Sequence, residues 1–152
     1  MTNFSSVTIT LKISDDISLA VLLHRDGTIN RKGNGTEKID NNFFIGLTKE
    51  PIFDNLIKSM SPDIEQYFNK VYGAPNMKGK KCELEIVWTG ENNVTGTKFM
   101  YGTKSIGPPR PISDFVVNSI RLTDPWFHEQ QKRRALKKAA KAQKEKILNS
   151  LS

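Results

Sequence analysis

Between Val7 and Ile13 every second residue is apolar: Val7, Ile9, Leu11 and Ile13 alternate with Thr8, Thr10 and Lys12. Successive side chains of a strand point to opposite faces, so this period of two marks a half-buried strand and commits the chain to a sheet with one covered face. Ser14-Asp15-Asp16 is turn chemistry, and Ile17 to His24, dense in Leu and Val, returns as the second strand of an antiparallel hairpin. Asp26-Gly27 predicts a type I′ turn, which needs positive φ at both central residues, followed by a third strand from Thr28 to Arg31. Lys32-Gly33-Asn34-Gly35 breaks the chain again, and Ile39 to Leu47 is expected as a fourth strand.

From Thr48 the period lengthens. Ile52, Phe53, Leu56, Ile57 and Met60 fall on one helical stripe with Glu50 and Pro51 just ahead of it, which predicts a short helix. Ser61-Pro62-Asp63 reads as the N-cap of a second helix, with Ile64, Tyr67, Phe68, Val71 and Tyr72 on its apolar face and Gly73 at its end. Cys82, Leu84, Ile86 and Trp88 restore the period of two, and Thr97 to Lys104 completes a later hairpin. Pro108, Pro109 and Pro111 make a rigid connector, since proline cannot donate to a ladder. A helical stretch then runs from Ser113 to Leu122, is interrupted at Asp124-Pro125, and resumes at Trp126 as the final helix. The fold class expected is α+β: an antiparallel sheet built from an N-terminal β-meander and a later hairpin, packed with two consecutive helices, and a long basic C-terminal helix. Residues 1–124 are read as one globular domain and 125–152 as a basic helical extension.

The 152 residues suit one core. The longest apolar run, Leu19 to Leu23, is far short of the roughly 20 residues that cross a bilayer, so no membrane association is expected. No leader is visible, and the single Cys82 fits a reducing compartment, so a cytoplasmic protein is expected.

The charge is unevenly placed. Lys and Arg total 23 against 16 Asp and Glu, a net charge of +7; residues 1–124 account for +1 and residues 125–152 for +6. Such asymmetry points to an interaction segment for nucleic acid, a ribonucleoprotein assembly or an acidic protein. On a helix, at about 100° per residue, Arg133, Arg134, Lys137, Lys138, Lys141 and Lys144 fall within a sector of roughly 140°. With Lys132 they are the candidate contact residues, since each cation that neutralises a phosphate releases condensed counterions. Leu136, Ala140, Gln143 and Ile147 form an adjacent, weakly apolar stripe, too poor in large side chains to anchor in a membrane interface.

Catalytic constellations are scarce. His24 with Cys82 is a conceivable base and nucleophile, but Cys82 alternates in phase with core residues. Asp15, Asp16, Glu37 and Asp40 would lie at one end of a meander, where turn acids are more often turn formers than ligands of a hard cation. Lys32-Gly33-Asn34-Gly35-Thr36 could form an anion nest but lacks the P-loop ending. Trp126 and Phe127 beside the basic helix either anchor it or stack bases, and an aromatic pair at the start of a terminal helix more often anchors it in the core. No catalytic residue, metal site or cofactor is expected. The chain reads as a non-enzymatic binding module acting on nucleic acid or a ribonucleoprotein assembly, with an accessory or immunity-type factor for an acidic protein as the alternative.

Overall fold

A computed structural model describes residues 3–151. Seven strands form one mixed sheet in the order β4-β3-β2-β1-β6-β7-β5, with β1 (Phe4–Ile13), β2 (Asp16–His24), β3 (Thr28–Gly33), β4 (Phe43–Leu47), β5 (Lys70–Gly73), β6 (Lys81–Gly90) and β7 (Val94–Gly102). The meander and the later hairpin meet at the centre, where β1 pairs antiparallel with both β2 and β6. The alternation that opened the sequence is the alternation of burial: Val7, Ile9, Leu11 and Ile13 are buried with Leu84, Ile86 and Trp88 of β6, while Thr8 and Thr10 face the other side.

The turns differ from expectation in one respect. Ser14 and Asp15 both have positive φ (51° and 70°) and close the first hairpin, whereas in Asp26-Gly27 only Gly27 does, at 101°. Asp26 instead accepts hydrogen bonds from the Thr28 amide and hydroxyl, which satisfies the turn from within and holds its carboxyl below the usual range.

Helix α1 (Ile52–Ser59) buries Ile52, Phe53 and Leu56 as its periodicity requires. The second α-helix expected from Ser61 to Gly73 does not form. Pro62–Tyr67 is a short 3₁₀ helix, capped by Ser61, and the chain then turns at Asn69 (φ 60°) into β5, which pairs parallel with β7. The aromatics read as a helical stripe serve separate packings instead. Phe68 lies against Phe4 and Trp88, while Tyr72 stacks on Phe99 at 4.8 Å between centroids. Asn tolerates the left-handed conformation, and Val71 and Tyr72 suit a strand, so tertiary packing overrides a period read from too few residues. The sheet is therefore mixed rather than wholly antiparallel.

Helix α2 (Arg110–Ser150) is 41 residues and is not broken at Asp124-Pro125; Pro125 lies inside it. Interior proline costs about 3 kcal/mol through a lost hydrogen bond and a ring clash. Here the contacts on either side outweigh that cost: Phe115, Ser119, Thr123 and Phe127 are all buried. Together α1, the 3₁₀ helix and the first half of α2 cover one face of the sheet and close the core.

Candidate nucleic-acid interface

The direction in which α2 leaves the body is set by a buried arginine. Arg31 on β3 is 0% exposed and faces the helix. Its Nε donates to Gly33 O at 2.9 Å; Nη1 donates to Thr123 Oγ1 and Asp124 Oδ1 at 2.9 Å and to Ile120 O at 3.3 Å; Nη2 donates to Asn34 Oδ1 at 3.2 Å. Its guanidinium also lies 4.4 Å from the centroid of Phe127, which in turn meets Phe44 edge to face. Burial pushes the Arg31 pKa down, opposed by the Asp124 carboxylate, and an arginine so partnered stays charged. Arg31 thus ties β3 to the Ile120 carbonyl and to the Thr123 and Asp124 side chains, in the turn of α2 just ahead of Pro125.

Beyond Arg134 the helix stands clear of the body. Lys132 to Leu151 are all exposed. Among the candidate contact residues, Lys132, Lys137, Lys138, Lys141 and Lys144 have no ion pair among the described residues. Arg133 pairs with Glu129 at 3.3 Å, and Arg134 is a strut, donating to Phe43 O at 3.1 Å with its guanidinium 4.0 Å over the Phe44 ring. Glu145 falls inside the basic sector near its C-terminal end and reduces its charge there. The stripe Leu136, Ala140, Gln143 and Ile147 packs on nothing among the described residues, with Leu136 69% and Ile147 51% exposed.

Where the basic face begins, a cleft of about 650 Å³ separates α2 from the connection between β4 and α1. Leu122, Pro125, Trp126, Glu129, Gln130 and Arg133 line its α2 wall; Leu47 to Glu50, Ile52 and Asn55 line the other. Trp126 is half-buried, its ring edge resting on Gly46, where an added Cβ would stand 2.8 Å from Cζ2. Phe127 takes the anchoring role and Trp126 walls the cleft. The 3/4 spacing that selected Lys137, Lys141 and Lys144 extends back through Arg133 and Gln130 to Trp126, but the proline hid that continuity from a sequence reading.

The other constellations come apart. His24 sits opposite Ser6 and Cys82 opposite Ile13 on β1, about 23 Å apart along the strand, so they form no dyad. Cys82 is buried, and desolvation, with the Glu37 charge adding to it, pushes its thiol up, the opposite of an activated nucleophile. In the glycine loop, Gly33 N donates to Asn42 O and Gly35 N to Ser18 O, so these amides are used internally. Asp40 accepts from the Asn42 amide and side chain, and no three acidic, histidine or cysteine groups come together among the described residues in a way that could hold a metal. Pro108 and Pro109 wall a small apolar groove beside Tyr72, Phe99 and Tyr101. No helix among the described residues is long and apolar enough to cross a membrane. The chain matches no protein-family model, no curated protein and no solved structure.

Proposed function

We propose that the protein is a non-enzymatic binding module whose projecting C-terminal helix docks on the phosphate backbone of a nucleic acid, free or within a ribonucleoprotein assembly. One observation carries the reading: Lys137, Lys138, Lys141 and Lys144 share a face of the exposed half of α2 and make no ion pair among the described residues. A solvated helix kept only for solubility has no need of a 41-residue span continuous with a buried arginine clamp. Such a helix presents cations at a defined distance and angle, which is what positioning on a phosphate track requires.

The test is charge reversal of Lys137, Lys141 and Lys144 to Glu, with binding to a mixed polynucleotide measured across salt concentrations. The unaltered protein should lose affinity steeply with salt, and the variant should bind far more weakly with a slope shallower by roughly 2 to 3, near 0.7 to 0.9 for each lost phosphate contact. Equal affinity and slope in the two proteins would refute the proposal.

The exposed stripe favours a second reading. Leu136, Ala140, Gln143 and Ile147 are spaced 4, 3 and 4, a two-heptad coiled-coil seam flanked by Lys132 and Lys146 on one side and Lys137 and Lys144 on the other. Two copies would set lysine against lysine, so the seam suits a partner helix with acidic flanks. Retained capture of an acidic helical peptide with no polynucleotide binding would favour this reading over the first.

A further inference from the structure

Resting on the polynucleotide reading, we propose that the cleft at Trp126 takes one unstacked nucleobase, which makes the preferred partner a single strand. Trp126, Gln130, Arg133, Lys137, Lys141 and Lys144 are spaced 4, 3, 4, 4 and 3 and so share one face of α2 over about 27 Å. A strand laid along the lysines is therefore led into the cleft at the body end of the same face. Arg133 belongs to both, lining the cleft and opening the basic face, and Lys49 stands on the opposite wall.

The cleft's size and chemistry fit a base. Its volume of about 650 Å³ leaves room for a base together with part of its sugar and phosphate. Trp126 supplies a half-buried aromatic surface, and base stacking on such a ring is worth enough to matter and tolerates any base because all present a π-face. Glu50, Asn55 and Gln130 supply donors and acceptors for a base edge, Lys49 is placed for a flanking phosphate, and Arg133 reaches a second one by exchanging its Glu129 partner for it. A duplex keeps its bases paired and stacked and has none to offer the cleft.

Intrinsic fluorescence provides the test, because Trp88 is 0% exposed in the core and Trp126 is the indole a ligand can reach. The full chain is titrated with a uridine 12-mer and, separately, with a duplex of equal phosphate count. Expected is quenching of the emission by the single strand, with protection of Trp126 from acrylamide, and neither effect with the duplex. Trp126→Leu should weaken single-strand binding about tenfold or more while leaving duplex binding and the salt slope unchanged, and Trp126→Phe should restore most of the loss. Should Trp126→Leu unfold, acrylamide protection in the unaltered chain still decides. Single-strand binding without quenching or protection overturns the base site and leaves the helix reading standing. No binding of either nucleic acid overturns both.

Discussion

Replacing Arg31 with methionine tests whether the arginine clamp holds α2 on the sheet. Methionine keeps much of the aliphatic volume but removes every donor. Gly33 O, Asn34 Oδ1, Thr123 Oγ1 and Asp124 Oδ1 then each lose a hydrogen bond, and Phe127 loses the cation over its face. Breaking a buried ion pair from one side typically costs about 3 to 5 kcal/mol. The Asp124 side chain is 36% exposed, so water takes up part of the stranded charge, and Thr123 Oγ1 still donates to Ser119 O. The low end of that range, about 3 kcal/mol, is the expected loss. With an m-value near 2 kcal/mol/M this lowers the urea midpoint by about 1.5 M, followed by far-ultraviolet circular dichroism. Asp124→Asn keeps an acceptor at the same place and should cost about 1 kcal/mol. Arg31→Lys should be nearly as damaging as Arg31→Met, because one ammonium cannot span acceptors arranged around a planar fork. A loss below about 1 kcal/mol for Arg31→Met, or full additivity of Arg31→Met with Asp124→Asn, would refute the clamp.

Pro125→Ala should stabilise the protein by about 2 to 2.5 kcal/mol, the helix gain of about 3 kcal/mol being reduced by about 0.4 to 1 kcal/mol through the freer unfolded chain, and a denaturant titration checks it. Tyr101 is raised to about 12 by burial first and by the Cys82 charge second. Its unfolded form ionises near 10, so its contribution is fully present below that pH and is lost as pH rises from about 10 to about 12; Tyr101→Phe should show a shallower alkaline decline in melting temperature. Cys82 should react with an aromatic disulfide reagent at the rate of unfolding in native buffer and promptly in denaturant, and prompt native reaction would contradict its burial.

The elements with a clear period were legible in advance. The strand at Val7 to Ile13, the later hairpin and α1 lie where their alternation or stripe places them, because a one-residue slip would turn a strand's apolar set to the other face and swing a helix's stripe off the core by about 100°. The segment from Asp63 to Tyr72 was not legible: aromatic residues fit either period, and the choice fell to Asn69, which turns the chain so that Tyr72 can stack on Phe99. Arg31 gave no sign of burial, since an arginine in a strand usually faces water and its acceptors lie about 90 residues away on α2.

Composition and order alone determined that charge gathers at the C-terminus and that Arg133, Lys137, Lys141 and Lys144 share a helical face, because helical spacing needs no partner to be read. Only the tertiary structure decided that this face projects and begins at a cleft walled by Trp126. That outcome depends on carrying a helix through Pro125, which local propensity forbids and the packing of Phe127, Phe44 and Arg31 across the sheet permits.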